Sequence, residues 1–336
     1  MKRTFGIALA AVAIMAMPAQ GREKEPLKLA QTFKLPADVK GNFDHFAVDL
    51  ATNRLFATPE EYKAVLVFDL KTGNVIHKIA GIEKPHAVLF REDLKRLYIT
   101  DGEAGDVKIV DSDTYKILSS VKLLEDSDSI GYDPATKLLY VDNGGGDIHQ
   151  TYSMFSIVDT TDGKKVTDVK VDGDTLEAMV LDKSTPRIFL NNKAKSRVDV
   201  IDREKRTLIA SWPITLAKTN VAMAYDETNH RLFVACRSGG IVVLDSNSGK
   251  EITVLPITKN VDDAVFDPAH KRLYASCDGD VSVYEQTSAD SYKLLGKVPT
   301  GPMARTALLV PQLNRYFVAV PQRGTSNAEI QVFDVQ

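Results

Sequence analysis

The stretch Arg54-Leu-Phe56 begins a short apolar segment, and a close variant of it returns six more times along the chain. The variants are Arg96-Leu-Tyr98, Leu138-Leu-Tyr140, Arg187-Ile-Phe189, Arg231-Leu-Phe233, Arg272-Leu-Tyr274 and Arg315-Tyr-Phe317. The steps between their first residues are 42, 42, 49, 44, 41 and 43. A period of about 40–45 residues in β-rich units is typical of β-propeller blades, which hold four strands each. The spacing therefore predicts an all-β, seven-bladed β-propeller of four-stranded antiparallel blades.

A second alternating strand follows in each unit, and it ends in an acidic residue. The first example is Val65-Leu-Val-Phe-Asp69, and the equivalent acids are Asp111, Asp159, Asp202, Asp245, Glu285 and Asp334. Turn residues follow these acids, so we expect the carboxylates to accept hydrogen bonds from turn backbone. The basic residue before each aromatic is predicted to be a solvated strand end. Strands with period two, separated by frequent turns, leave almost no room for helix.

The two ends of the repeat array complement each other. The last unit stops shortly after Asp334 and lacks its outermost strand, whereas a spare strand, Leu27 to Leu35, precedes the first complete unit. Pairing the spare strand with the last blade would close the ring and cover two sheet edges. We therefore expect a single propeller domain over residues 22–336, closed by its N-terminal strand.

Residues 1–21 have the pattern of a secretory signal peptide. Lys2 and Arg3 precede an apolar stretch that ends in small residues around Gly21, and this stretch is too short for a membrane span. Removing Lys2 and Arg3 leaves 40 basic residues against 45 acidic ones, a net charge of −5. This balance gives no bulk attraction to nucleic acid or anionic membranes. We expect a periplasmic or secreted monomer with no membrane insertion.

The two cysteines occupy equivalent places in neighbouring units, since Cys236 and Cys277 each lie five residues after the repeat arginine. Packed sheets lie about 10 Å apart, whereas a disulfide needs Cα atoms within about 7 Å. We expect two free, buried thiols, and the alternative is a bridge near the axis, where the blades converge. The chain has no CxxCH motif for covalent haem.

Several short motifs are similar to the YVTN-type repeat of the YncE-like β-propeller proteins, and the similarity covers the whole chain after the leader. The motifs are Lys84-Pro-His-Ala87, Asp133-Pro-Ala-Thr136, Leu139-Tyr-Val-Asp142, Asp267-Pro-Ala-His270, Ala304-Arg-Thr306 and Asn314-Arg-Tyr316. The resemblance implies an exported seven-bladed propeller. It implies no particular activity, because this family has no single shared one.

The candidate site lies where the innermost strands begin, at the mouth of the central channel. The side chains predicted there are polar and differ between blades: His45, His86, Asp128, Glu177, Asn220, Asp262 and Arg305. The loops on this face also differ in length, and variable loops on a rigid scaffold often bind ligands. The sequence predicts a non-catalytic propeller that binds a small molecule, peptide or protein partner here. It predicts no catalytic residue, no cofactor and no metal, and Arg305 is the expected anion-recognising group.

The alternative function is a metal-assisted hydrolase of the lactonase type. In that interpretation His45 and His86 hold a cation together with Asp128 and Glu177, His149 leans in from a long loop, and Asp262 or Asp263 acts as base. Binding is favoured over hydrolysis because no motif fixes a nucleophile, a base and an oxyanion donor together. The chain contains no GxSxG, HExxH or P-loop sequence.

Overall fold

A computed structural model describes residues 25–336, so the predicted signal peptide, residues 1–21, lies outside the described residues. The described chain forms seven antiparallel sheets of four strands each. Strand β1 (Leu27–Lys34) comes first. Blade 1 contains β2 (Phe43–Asp49), β3 (Arg54–Pro59), β4 (Ala64–Asp69) and β5 (Val75–Ala80). Blade 2 contains β6 (Pro85–Arg91), β7 (Arg96–Asp101), β8 (Asp106–Asp111) and β9 (Ile117–Lys122). Blade 3 contains β10 (Ile130–Asp133), β11 (Leu138–Gly144), β12 (Tyr152–Asp159) and β13 (Lys164–Asp172).

The remaining four blades repeat this order. Blade 4 contains β14 (Leu176–Leu181), β15 (Arg187–Asn192), β16 (Arg197–Asp202) and β17 (Thr207–Pro213). Blade 5 contains β18 (Asn220–Asp226), β19 (Arg231–Cys236), β20 (Gly240–Asp245) and β21 (Glu251–Pro256). Blade 6 contains β22 (Asp263–Asp267), β23 (Arg272–Ser276), β24 (Asp280–Ser288) and β25 (Ser291–Pro299). Blade 7 contains β26 (Ala307–Val310), β27 (Arg315–Val320) and β28 (Glu329–Val335).

The N-terminal strand closes the ring, as the sequence predicts. Strand β1 pairs antiparallel with β28, from Leu27 opposite Val335 to Lys34 opposite Glu329, and becomes the outermost strand of blade 7. The first strand of each blade contacts the first strands of both neighbouring blades, so these seven strands line the axis. The predicted seven-bladed, all-β fold is therefore confirmed.

Helix is confined to single 3₁₀ turns within the described part of the chain. These turns span Glu60–Tyr62, Glu92–Leu94, Gly146–Ile148 and Pro311–Leu313. Over residues 25–336, no helix has the length and apolar character needed to cross a membrane.

The hydrophobic core is divided into layers between adjacent blades. In the layer between blades 7 and 1, Phe33 of the closing strand packs on Phe68 and Phe317, with ring centroids 6.2 Å and 6.3 Å apart. Seven such clusters are found over residues 25–336, one for each interface between blades. Alternate residues of each strand face opposite neighbouring blades, so a strand in the middle of a blade, such as β3, is buried along its whole length.

Cys236 and Cys277 are free and fully buried, as predicted. They lie in different layers, Cys236 between blades 4 and 5 and Cys277 between blades 5 and 6. Burial raises the pKa of both thiols to about 12, so these side chains serve as small apolar core residues.

The repeated acids mostly cap turns, but the prediction for the repeated arginines is wrong in part. Asp69 accepts hydrogen bonds from the backbone nitrogens of Lys71 and Thr72, at 3.1 Å and 2.7 Å. Arg54, predicted to be solvated, has a side chain only 9% exposed, and its Nη2 lies 2.7 Å from Asp49. An acid five residues before the arginine provides this buried partner, and burial without such a partner would be costly.

Candidate functional site

The channel mouth is shaped by irregularities at the starts of the innermost strands. The pairing register shifts between Phe43 and Phe46 in β2 and between Pro85 and Val88 in β6, and similar shifts occur in β14 and β18. An extra residue in a strand breaks the alternation of side chains and turns the strand. As a result, the adjacent residues Asp44 and His45 both line the mouth instead of facing opposite sides.

Hydroxyl side chains hold these strand starts in place across neighbouring blades. Thr58 Oγ1 accepts a hydrogen bond from the His45 backbone nitrogen at 2.8 Å and contacts the His86 carbonyl oxygen at 2.7 Å. Thr100 repeats this arrangement one blade further, with the Ala87 nitrogen at 2.7 Å and the Asp128 oxygen at 2.9 Å. The mouth is therefore fixed by buried side-chain bonds, and flexible loops are not its main support.

Six of the seven predicted residues lie in one cavity of about 340 Å³ at the mouth. They are His45, His86, Asp128, Glu177, Asp262 and Arg305. Seven further charged residues line the same cavity: Asp44, Glu60, Lys84, Asp126, Asp147, Lys193 and Arg237. Residues from all seven blades, separated by up to 261 positions in sequence, thus contribute charge to a single recess.

Asn220 departs from the predicted ring. Its side chain is fully buried between blades, where it donates hydrogen bonds to Asn191 Oδ1 at 2.9 Å and to the Arg197 carbonyl at 3.1 Å. The register shift between Asn220 and Ala222 puts Val221 on the cavity wall in its place. His149 ends a 3₁₀ turn with an exposed side chain and does not line the cavity.

Blades 1 to 3 bring two histidines against carboxylates. His86 Nδ1 lies 2.5 Å from Asp44 Oδ2 and 3.6 Å from Asp128 Oδ1. His45 Nε2 lies 3.2 Å from Asp44 Oδ1, and its Nδ1 lies 3.8 Å from Asp263. His86 is the more buried of the two, with a side chain 5% exposed against 30% for His45.

These contacts hold both histidines in the protonated form. Burial opposes charge on His86, but Asp128 and Asp44 outweigh it and raise its pKa to about 10. Burial also opposes charge on His45, but Asp44 and Asp263 outweigh it and raise the pKa of His45 to about 9. Asp44 is desolvated too, yet the two histidines lower its pKa to about 2. This side of the mouth is therefore a network of imidazolium–carboxylate pairs at neutral pH.

Blades 4 to 7 contribute the cationic side of the mouth. Asp262 lies between two guanidinium groups, because Arg237 donates a short hydrogen bond to it and Arg305 Nη2 is 3.4 Å from its Oδ2. The Nε atoms of Arg237 and Arg305 are buried without a hydrogen-bond partner. Lys193 Nζ lies 2.6 Å from Glu177 Oε1, and burial raises the pKa of Glu177 to about 7.

A second cavity of about 300 Å³ continues from the mouth along the axis, and it shares His45, Ser129 and Ala178 with the mouth cavity. Its lining includes residues that follow these along the innermost strands, and most of them are apolar: Phe46, Val88, Ile130, Met179, Met223 and Leu308. We call this second cavity the shaft. Its one carboxyl group, Asp263, accepts a hydrogen bond from the Ala307 nitrogen at 2.7 Å, and burial raises its pKa to about 7.

One group at the mouth has the donors that a metal ion would need. Asp44, His45 and Asp128 each offer a ligand atom, and these atoms lie within 4.8 Å of one another. A mixed imidazole and carboxylate set suits Zn or Cu. This group overlaps the predicted set of His45, His86, Asp128 and Glu177 only in part, since Asp44 takes the place of His86 and Glu177.

Arg237 and Lys193 were not predicted, although the sequence carries a signal for them. Each directly follows the last residue of its blade's second strand, Cys236 in β19 and Asn192 in β15. Glu60 holds the same place after β3. In blades 1, 4 and 5 the residue after the second strand thus lines the mouth beside the predicted positions, and a charged residue at that place is the signal to seek.

Two curated proteins are similar to part of this chain. The uncharacterised protein YncE of Salmonella typhimurium is 32% identical over 115 residues, which cover 34% of this chain and 32% of the relative. Its counterpart in Salmonella typhi is 31% identical over 115 residues. This chain is a seven-bladed β-propeller that is similar to YncE over about a third of its length. The match spans about a third of the length of these relatives, and no protein-family model matches the chain, so the YVTN-repeat assignment stays a prediction.

Solved structures share the propeller fold of this chain at low sequence identity. A chain of the mitotic checkpoint complex superposes with a TM-score of 0.74 at 12% identity and covers 99% of both chains. A chain of Kuenenia stuttgartiensis hydrazine synthase gives a TM-score of 0.72 at 17% identity and covers 87% of this chain and 98% of its own. These likenesses concern the propeller architecture alone.

Proposed function

We propose that this protein is a binding protein whose channel mouth holds a small polar molecule. The observation that carries the proposal is the convergence of charged side chains from all seven blades on one recess of about 340 Å³. This volume lies at the lower end of the range for small-molecule pockets, about 300–1,000 Å³. A recess of this size favours a small molecule over a folded protein partner.

The contacts of the charged side chains favour recognition over catalysis. His45 and His86 are both engaged with carboxylates, and their pKa values are raised to about 9 and about 10, so neither is a ready general base at neutral pH. Opposite charges held at fixed positions around a cavity are the arrangement that orients a polar ligand.

A thermal-shift screen tests the proposed function. Amino acids, sugars, carboxylic acids and amines would be added to the purified protein, and a ligand at a hundred times its Kd stabilises a protein by about 2.7 kcal/mol. We expect hits whose shift is lost in Asp128→Asn and Lys193→Met. Asp113→Asn is the matched control, since that carboxylate is 48% exposed on a turn away from the mouth. Hits that bind both mouth variants normally would contradict the proposal.

A metal-assisted hydrolase is the second candidate, and the Asp44, His45 and Asp128 group favours it. A bound divalent cation would supply an activated water for attack on an ester or lactone. Elemental analysis of protein purified without chelator, beside the His45→Ala/His86→Ala variant, tests this candidate. Near-stoichiometric metal that is absent from the variant would support it, and metal-free wild-type protein would exclude it.

Export to the periplasm or the medium is part of the proposal. It rests on the basic and apolar pattern of residues 1–21 and on the similarity to YncE. Cell fractionation with N-terminal sequencing tests it. We expect mature protein that begins at residue 22 in the exported fraction, and an intact N-terminus in the cytoplasm would contradict export.

A further inference from the structure

The cationic side of the mouth has more hydrogen-bond donors than acceptors. Arg237 and Arg305 both approach a single carboxylate, Asp262, and each retains a buried Nε–H with no partner. Both side chains line the mouth cavity, and the Arg237 bond to Asp262 is the one side-chain hydrogen bond that either guanidinium makes within residues 25–336. Buried donors without acceptors are unfavourable, and guanidinium groups match planar oxyanions in geometry. This pair therefore suits the carboxylate of a ligand.

The apolar shaft begins directly below these arginines. Arg305 precedes β26, and Leu308, in that strand, lines the shaft. Asp262 precedes β22 in the same way, and Val265 of that strand lines the shaft. A molecule whose charged end contacts Arg237 and Arg305 from the cavity would therefore extend its remaining atoms along an apolar wall.

We propose that the ligand is an amphipathic carboxylate, with its carboxylate on the cavity side of the Arg237 and Arg305 guanidinium groups, beside Asp262, and its apolar chain in the shaft. This inference rests on the proposed function and adds the chemical class of the ligand. His45 lies where the two cavities meet and adds a positive charge near the carboxylate end. Asp263 is the carboxyl group that would oppose the ligand in the shaft, and it is engaged with the Ala307 nitrogen.

Calorimetric titration of the purified protein at pH 6.5 tests the two halves of the ligand separately. Acetate, butanoate, hexanoate and octanoate share the carboxylate and differ in the length of the alkyl group. Hexanol and hexylamine have a six-carbon alkyl group like hexanoate but replace its carboxylate with a hydroxyl or an amine. We expect affinity to rise about fourfold for each added methylene that enters the shaft. Hexanoate should bind at least about tenfold more tightly than either hexanol or hexylamine.

Substitutions test the two proposed contacts of the ligand, one with its carboxylate and one with its alkyl group. Arg237→Met/Arg305→Met should weaken hexanoate binding at least about tenfold, because charge-assisted hydrogen bonds are lost. Arg96→Met/Arg315→Met is the matched control, since it removes two guanidinium groups that pair with Asp111 and Asp334 outside the mouth cavity, and it should change hexanoate affinity by less than about twofold. Leu308→Trp, which fills the shaft, should abolish the effect of chain length while acetate binding persists. Val265→Phe repeats this test should Leu308→Trp fail to fold in a thermal melt.

Three results would overturn the inference. They are equal affinities for acetate and octanoate, equal affinities for hexanoate and hexanol, and no binding of any carboxylate. The proposed function has a separate readout in the thermal-shift screen. Suppose that a sugar or an amine binds and that Asp128→Asn weakens its binding. The mouth would then still be a binding site, but the amphipathic carboxylate would be excluded as its ligand.

Discussion

Single buried hydroxyl groups fix the geometry of the channel mouth. Thr58 contacts the backbone of His45 in its own blade and the backbone of His86 in the next, and Thr306 donates to the Phe43 carbonyl at 2.6 Å. Each of these threonines is buried. The chemistry of the mouth thus depends on residues that line no cavity and carry no charge.

The role of Thr58 is testable by substitution. Thr58→Val keeps the shape of the side chain but leaves backbone groups of His45 and His86 without a partner, so we expect the free energy of unfolding to fall by about 1–3 kcal/mol. Thr58→Ser keeps the hydroxyl and should recover most of this loss. Urea denaturation measures both variants. Equal stability of Thr58→Val and wild type would show that these bonds contribute nothing to the fold.

At the scale of elements, ring closure depends on one short strand. Strand β1 is anchored by two buried side chains, Leu27 in the layer between blades 6 and 7 and Phe33 in the layer between blades 7 and 1. Leu27 is fully buried against blade 6, whereas Leu29 is 51% exposed. The strand shields the edge of β28, which would otherwise be free to pair with another chain.

A matched pair of substitutions in β1 tests the closure. Leu27→Ala should lower the free energy of unfolding by about 2–5 kcal/mol because it leaves a cavity in a packed layer. Leu29→Ala removes the same atoms from an exposed position and should change the free energy of unfolding by less than about 0.5 kcal/mol. Chemical denaturation compares the two variants, and size-exclusion chromatography reports any association through the freed edge. Equal effects would mean that β1 is not anchored as described.

At the scale of the whole molecule, the mouth couples stability to pH. His45 and His86 keep their protons in the folded chain to a pKa of about 9 and about 10, whereas an unfolded histidine loses its proton near 6.5. Below pH 6.5 both states are protonated and the contribution of these pairs to stability is complete. As pH rises through the folded pKa values, that contribution is lost.

We therefore expect the free energy of unfolding of chelator-treated protein to fall as pH rises from about 6.5 to about 10. Each histidine contributes a slope of at most about 1.4 kcal/mol per pH unit in this window. Urea denaturation at several pH values measures the slope. His45→Gln/His86→Gln should flatten it, and His230→Gln, outside the mouth, is the control. A slope that the double variant leaves unchanged would assign the effect to other groups.

The sequence determined the seven blades and the way the ring closes. Blade number and closure follow from local patterns, the 41–49 residue spacing and the unpaired strand at each end, because each blade buries its faces only against its neighbours. The same patterns predicted which strand ends meet at the mouth. Six of the seven predicted residues line one cavity for that reason, although their role in binding stays a prediction.

Only the tertiary structure decided which side chains face the mouth and which of them pair. A one-residue register shift reverses the direction of a side chain, so Asn220 is buried between blades while the adjacent Asp44 and His45 both reach the cavity. The His86–Asp44 and Arg237–Asp262 pairs join residues 42 and 25 positions apart. Such contacts depend on how adjacent blades pack against each other around the axis, and no local spacing in the chain specifies that packing.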